Sequence, residues 1–250
     1  MGVEAGDFSY LGVGKVYLRE KGAAAPRLHI GNVSVLNFGV TEDVKEQRDY
    51  TAVGGGTVAE VRRISAVECG MTLHDLDKDN LARAFFGTAS ELGTEAVAGE
   101  VQLGYVGGFT PTDKPIDATA TVTVAMGATT FVLGTDYTVS SGGITILEDG
   151  DIEDGDALEI SYTTLDHQTM EAITTFAKEY ELYFEGLNEA KSGRAVNVAA
   201  HRIKFGATQV LDLINEDFAS FEVKGKLLRD NTKQGVGVSK YFKVQIVLGE

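Results

Sequence analysis

Apolar and polar residues that alternate with a period of two are the feature of this sequence that most constrains its fold. In residues 67–73 the apolar positions are Val67, Cys69, Met71 and Leu73, and more polar or smaller residues separate them. Successive side chains of a β-strand point to opposite faces, so this pattern predicts a half-buried strand. We expect the side chain of Cys69 to point inward.

The same alternation returns in the last third of the chain. Phe221, Val223 and Leu227 alternate with polar residues, and so does a second set formed by Phe242, Val244, Ile246 and Leu248. Shorter β-prone stretches lie at 13–18, 33–38 and 196–205. Antiparallel sheets show this pattern when one face packs on a core and the other faces water. We therefore expect the apolar residues of these strands to be buried.

Helical signals are few. One helix is predicted to begin near Asp75 or Asp77, either of which can accept hydrogen bonds from exposed amides, and to end at Gly87. A second, weaker helix is predicted over 168–176. The predicted fold class is mainly β: a β-sandwich or barrel core with one short helix.

Residues 99–164 differ in composition from the residues on either side of them. They are rich in Thr, Gly and Asp, and short strand signals recur about every eight to twelve residues, as in small β-sandwiches. Strand patterns resume at Leu182. The sequence therefore predicts an inserted Ig-like domain at 99–164 within a discontinuous core made of residues 1–98 and 165–250.

Composition excludes several classes of protein. The formal charge of −15, from 37 acidic and 22 basic residues, argues against binding to a phosphate backbone. The single cysteine cannot form an intrachain disulfide, which suits the reducing cytoplasm. Residues 1–11 do not have the pattern of a signal peptide, and no run approaches the roughly 20 apolar residues of a membrane helix. We expect a protein that is soluble in the cytoplasm after synthesis.

Between two predicted strands, residues 41–59 have the character of a long exposed loop. Such a length is unusual in a compact domain, where long loops are functional or disordered. One interpretation is a solvated hairpin tip, and the other is an arm that orders against a neighbouring subunit. Its candidate interface residues are Glu42, Asp43, Lys45, Glu46, Arg48, Asp49, Tyr50, Gly54, Gly55 and Gly56.

No catalytic, cofactor or metal site is expected, and the chain is predicted not to be an enzyme. The four histidines, His29, His74, His167 and His201, lack metal-ligand spacing. The acidic stretch 148–156 fails the EF-hand pattern, which needs glycine where Asp154 stands and glutamate where Ile160 stands, so it is interpreted as a turn between strands. Residues 235–240 lack phosphate-loop spacing and are interpreted as a mobile turn.

The last third of the chain also resembles the tail tube proteins of long-tailed bacteriophages. The resemblance rests on the order of several segments and not on any one motif, and the helix signal at 75–81 is similar to the single helix of that family. Residues 134–137 and 160–162 are similar to Ig-like modules of phage structural proteins. The tail-tube segments are Leu182-Tyr183-Phe184-Glu185-Gly186-Leu187-Asn188, Ala195-Val196-Asn197-Val198, His201-Arg202-Ile203-Lys204-Phe205, Leu211-Asp212-Leu213-Ile214, Phe218-Ala219-Ser220-Phe221-Glu222-Val223-Lys224-Gly225 and Leu228-Arg229-Asp230.

The resemblance implies a structural virion protein. Its subunits would form six-membered rings that stack head to tail into a hollow tube, with the loop at 41–59 as the stacking arm and the insert on the outside. Implied partners are further copies of the chain, the tape measure protein inside the tube, and the tail terminator and distal tail proteins. Viral DNA would pass without specific binding along an acidic lumen, because a repulsive wall lets the duplex slide. The implied location is the virion tail, with no membrane partner.

Two other functions stay open. A soluble β-sandwich adhesin or carbohydrate-binding module is consistent with the Thr- and Gly-rich insert, although such modules usually expose aromatic residues and tryptophan is absent. A subunit of a type VI secretion tube would share the fold, but that family lacks such an insert.

Overall fold

The computed structural model describes residues 9–51 and 53–248. The first eight residues, on which part of the expectation about a signal peptide rests, lie outside this range, as do Ala52 and the last two residues. The chain divides into two compact units, the described parts of Met1–Thr88 with Met170–Glu250, and Ala89–Thr169. The inserted unit begins at Ala89 instead of Gly99 and ends at Thr169 instead of Thr164.

The structure is mainly β, as predicted. Its elements in chain order are β1 (Gly12–Glu20), β2 (Leu28–His29), β3 (Val33–Arg48), β4 (Thr57–Leu73), α1 (Lys78–Ala84), β5 (Thr88–Leu92), β6 (Ala96–Leu103), β7 (Phe109–Pro111), β8 (Thr123–Met126), β9 (Thr129–Thr130), β10 (Tyr137–Ser140), β11 (Gly143–Ile146), β12 (Ala157–Thr163), β13 (His167–Glu171), β14 (Glu179–Asn188), a 3-10 turn (Glu189–Lys191), β15 (Arg194–Phe205), β16 (Phe221–Leu227) and β17 (Phe242–Ile246).

One antiparallel sheet of eight strands builds the first unit. Its order is β2-β1-β14-β15-β16-β4-β3, and β17 also pairs with β15. Strand β15 is long enough to pair with two strands along one edge. Residues 196–200 pair with β17, and residues 203–205 pair with β16. The change occurs where the amide of His201 donates to the carbonyl of Tyr241 and Arg202 accepts from the amide of Leu228. The sheet therefore curls around one core.

The core of the first unit comes from the period-two positions. Val67, Cys69, Met71 and Leu73 are all buried on β4, which confirms the inward direction of Cys69. Phe221, Val223 and Leu227 on β16 are buried as well, while Glu222, Lys224 and Lys226 between them are exposed. Apolar side chains removed from water on one face stabilise a sheet by about 25 cal/mol per Å² buried.

Helix α1 forms where the sequence predicts it. Asp77 is its N-cap, and its carboxylate accepts hydrogen bonds from the amides of Asp79 and Asn80 at 2.8 and 2.9 Å. The second predicted helix, at 168–176, is wrong. Residues 167–171 form β13, which pairs with β5, and Ile173 has a φ of 60°, a left-handed conformation that a helix cannot contain.

The second unit has its own core between two small sheets. These have the orders β10-β11-β7 and β6-β12-β8-β9, and residues such as Val124, Ile144, Leu158 and Ile160 are completely buried between them. The hydroxyl of buried Tyr137 donates to the carbonyl of Val122 at 3.0 Å. A buried core of this kind is what the sequence pattern predicts for a small β-sandwich.

Candidate assembly surface

The residues predicted to form a long loop form a β-hairpin instead. Strands β3 and β4 stay paired from Val33 opposite Leu73 to Arg48 opposite Thr57, with irregularities near Thr41 and Gln47. We call its outer part, residues 41–66, the arm. The loop prediction was wrong because β-branched residues such as Val44, Val58 and Ile64 favour extended backbone even among many charges. Of the two interpretations considered, the exposed hairpin describes its conformation.

The turn at the tip of the arm includes residues 49–51 and 53–56. The Asp49 amide donates to the carbonyl of Gly56 at 2.7 Å, and the Asp49 carboxylate accepts from the amide and hydroxyl of Thr51. These two bonds from Thr51, hydroxyl first, lower the pKa of Asp49. Gly54 has a φ of 83°, which favours glycine. The tip is thus defined by local hydrogen bonds.

The structure spreads the ten candidate interface residues along this arm. Five charged residues lie on β3, namely Glu42, Asp43, Lys45, Glu46 and Arg48, and the other five lie in the turn, namely Asp49, Tyr50, Gly54, Gly55 and Gly56. All are exposed except Asp49, which is half-buried. They do not form one compact site but lie along the length of the arm.

Apolar side chains on both faces of the arm have no cover. Residues opposite each other in an antiparallel pair share a face, so Val44 and Arg62 lie on one face with Ile64, and Val61 lies on the other. Ile64 is 60% exposed and Val61 is 52% exposed. An isolated two-stranded hairpin is marginally stable in water. The arm therefore has surface that a partner would bury on both sides.

Charges on the arm pair with one another. The guanidinium of Arg62 bonds to the carboxylates of Glu60 and Glu42, and these bonds, Glu60 first, raise the pKa of Arg62. Both partners are well exposed, so the pairs contribute little to stability. Because these charges already pair within the arm, the exposed side chains of Val44, Val61 and Ile64 are the features that favour contact with a partner.

Sequence reasoning missed a second exposed apolar region, next to the end of α1. Ile173 and Phe176 are 83% and 91% exposed, and Ile214 and Phe218 are each 98% exposed. The two segments meet at the helix end, since the Ile173 amide donates to the carbonyl of Phe85 and the Thr208 amide donates to that of Ala84. The signal available was the run Leu211-Asp212-Leu213-Ile214, three apolar residues that lie in no predicted strand.

The predicted burial of the β17 stripe was also wrong. Phe242 is half-buried, but Val244 is 48% exposed, Ile246 is 64% exposed and Leu248 is 82% exposed. Val244 and Ile246 share the inner face of the sheet with buried Val198 and Val196 on β15, because they lie opposite them in register. The core is open at this edge.

Residues 9–245 match the model of a family described as "Protein of unknown function UCP028589". The chain belongs to this family. No curated protein matches it. The matched range contains the whole of the second unit and most of the first, so the second unit lies within the family's span.

In this member of the family, the thiol, one described groove and the metal-ligating side chains bear on possible chemistry. Burial raises the pKa of the Cys69 thiol to about 12, which makes it a poor nucleophile. A groove of about 640 Å³ beside β15, β16 and β4 has a mostly apolar lining that includes Phe86, Phe205 and Leu228, together with lysines and glutamates and no histidine. Across residues 9–51 and 53–248, no three metal-ligating side chains are placed to hold an ion, and no helix is long and apolar enough to cross a membrane.

Proposed function

We propose that this chain is a non-enzymatic tube subunit, which polymerises as stacked hexameric rings into a phage-type tail tube and gives the genome a conduit into the host. The observation that carries the proposal is the arm, a long hairpin with uncovered apolar residues on both faces. The sequence resemblance to tail tube proteins supplies the biological setting. Its partners would be copies of itself, the tape measure protein, and the tail terminator and distal tail proteins, in the virion tail.

The arm supports ring stacking by its length and its exposure. From Thr41 to Arg48, β3 extends for about 25 Å at the usual rise of a strand. A hairpin of this length with exposed Val44, Val61 and Ile64 is suited to lie between two surfaces of a neighbouring subunit. Interfaces of this kind bury apolar residues at their centre and keep charged residues at the rim.

The open edge of the sheet supports ring closure. Among the described strands, β17 pairs with β15 alone, so its other edge has no partner strand, and Val244 and Ile246 on its inner face are exposed. A head-to-tail contact repeated by rotation closes into a ring and removes exposed strand edges. A second copy at this edge would bury these two residues.

The net charge does not argue for an acidic lumen, contrary to our expectation from the sequence. The second unit holds 14 of the 37 acidic residues and, of the 22 basic ones, only Lys114, which gives it a charge of −13. The first unit keeps 23 acidic and 21 basic residues, a charge of −2. A tube wall built from the first unit would be nearly neutral, and the acidity would lie on its decoration.

Electron microscopy of the purified chain tests the proposal. At high protein concentration we expect six-membered rings and hollow tubes in negative stain. A species that stays strictly monomeric under these conditions would overturn the proposal. Rings with a different symmetry would retain the tube but reject the hexamer.

A further inference from the structure

The second unit carries an exposed apolar strip, formed by two residues of β6 and by Tyr105 shortly after its end. Val101 is 62% exposed, and Leu103 and Tyr105 are each 55% exposed. Gly104 between them faces the core, because a Cβ at this position would lie 2.7 and 2.8 Å from the side chains of Ile146 and Leu158. Leu103 and Tyr105 are therefore directed outward. We call Val101, Leu103 and Tyr105 the apolar strip.

An acidic turn, residues 148–156, lies beside this strip. The amide of Gly155 donates to the carbonyl of Gly104 at 2.8 Å, and the amide of Gly104 donates to the carbonyl of Asp156 at 2.9 Å. The Asp154 carboxylate accepts from the amide of Val106 at 2.8 Å. The turn contributes six carboxylates and no basic residue, namely Glu148, Asp149, Asp151, Glu153, Asp154 and Asp156.

The turn is fixed in place and does not swing freely. Ile152 at its centre is 2% exposed in the core of the unit. The buried carboxylate of Asp136 accepts from the amide of Asp151 at 2.9 Å and from the amide of Val132 at 2.6 Å. The carboxylates thus belong to a fixed turn that adjoins the apolar strip through residues 154–156 before any ligand arrives, which reduces the ordering cost of binding.

The chemistry of this surface selects one kind of partner. Glu159 lies opposite Val101 in register, so acidic and apolar side chains also share the face of the sheet. Lys114, the unit's one basic residue, is paired with Glu95. A unit of charge −13 with six of its carboxylates in this turn repels nucleic acid and anionic membranes, whereas a positive patch complements it.

We infer that the apolar strip and the acidic turn form a docking surface for a cationic protein segment, in which lysine or arginine is interspersed with leucine or aromatic residues. The apolar strip would bury the apolar side chains, and the acidic turn would pair with the cations at the rim. This role is separate from tube formation, and it assigns the second unit a partner of its own.

Peptide binding to the dispersed 250-residue chain tests the inference. The probe is a short fluorescein-labelled peptide of alternating lysine and leucine, measured by fluorescence anisotropy at physiological ionic strength. Peptides of alternating lysine and serine, and of alternating glutamate and leucine, are the comparisons. We expect the lysine-leucine peptide to bind at least roughly tenfold more tightly than either, since both the charge and the apolar contacts contribute.

Two variants separate the two contributions. Leu103→Ser with Tyr105→Ser removes the apolar contacts, and Asp149→Asn with Asp151→Asn and Glu153→Gln removes three carboxylates that bond to no described residue. Each should weaken binding roughly tenfold. Val210→Ser with Leu213→Ser, which alters exposed apolar residues of the first unit, is the apolar control. Asp212→Asn with Glu216→Gln and Asp217→Asn in the first unit is the charge control. Both controls should bind as the unaltered chain does.

Three outcomes would overturn the inference: no binding of the lysine-leucine peptide, equal binding of the lysine-serine peptide, or a neutral oligosaccharide that binds at the apolar strip instead. The last would favour a carbohydrate-binding module. Because the assay uses dispersed protein, a failure here leaves tube formation in electron micrographs unaffected, and a failure to form tubes leaves the peptide result standing.

Discussion

The ring of Phe38 on β3 stacks on the ring of Phe242 on β17, with centroids 5.2 Å apart and planes inclined by 17°. The two strands are not neighbours in the sheet, so this contact joins two parts of the sheet across the core. It lies next to the edge where Val244 and Ile246 are exposed. The covered part of the core therefore ends at this stacked pair.

Removal of one ring should destabilise the first unit. We expect Phe242→Ala to lower the free energy of unfolding by about 2 kcal/mol, because both rings are half-buried and lose stacking as well as buried area. Urea denaturation of the dispersed chain measures this. Phe176→Ala, which removes a ring that is 91% exposed, is the matched control and should change stability little. Equal losses in both variants would contradict the assigned packing.

Asp230 should make stability depend on acid pH. Its side chain is 3% exposed and pairs with the ammonium of Lys21 at 2.7 Å, and Thr232 donates two further hydrogen bonds to it. The Lys21 bond, followed by the Thr232 hydroxyl, holds the pKa of Asp230 well below its usual range. The carboxylate therefore stabilises the folded chain above about pH 4, and this stabilisation is lost as the pH falls towards the folded pKa.

The corresponding variant is Asp230→Asn, which keeps the shape but removes the charge. At pH 7 it should lower the free energy of unfolding by roughly 2 to 3 kcal/mol, because the ammonium of Lys21 loses its ionised Asp230 partner in a partly buried site. The difference from the unaltered chain should shrink when urea denaturation is repeated near pH 3. A difference that stays constant between the two pH values would show that the charge of Asp230 is not responsible.

Cys69 should be protected from alkylation in the folded chain. Its side chain is 1% exposed, and burial raises its pKa to about 12, so the thiolate that reacts is scarce at pH 8. Iodoacetamide followed by intact-mass spectrometry should detect no adduct in buffer and one adduct per chain in urea. Rapid modification without denaturant would show that the inner face of β4 is accessible.

Strands were predictable where one face of the sheet is buried, and less so elsewhere. On β4 and β16 the alternation of residues matches their burial because both strands pack on the core. On β17 the same alternation predicted burial that Val244 and Ile246 do not have, since a pattern in one strand cannot reveal whether another layer covers it. At 168–176 a weak helix was predicted, but pairing with β5, a contact distant in sequence, decided the conformation.

The arm shows the same limit for the candidate site. The charges of residues 41–49 and the glycines at 54–56 correctly predicted exposure, but they concealed a hairpin. Its register depends on pairing across the turn, residue by residue, which composition does not report. The sequence correctly predicted that residues 148–156 form a turn. It did not predict that Leu103 and Tyr105 lie next to it, because only the fold brings residues 103–105 beside residues 154–156.

The arm gives the sharpest prediction about assembly. Val61→Ser with Ile64→Ser removes one exposed apolar side chain from each face and leaves every charge of the arm in place. Because both residues are exposed, the free energy of unfolding of the dispersed chain should change by less than about 0.5 kcal/mol for each substitution. Tube formation, measured by sedimentation and negative-stain microscopy, should nevertheless be lost, since stacking depends on burying these side chains. Val132→Ser with Leu133→Ser, which alters equally exposed apolar residues of the second unit, should form tubes normally. If the arm variant forms tubes as readily as this control, ring stacking does not use the arm, and the tube proposal would lose its main structural support.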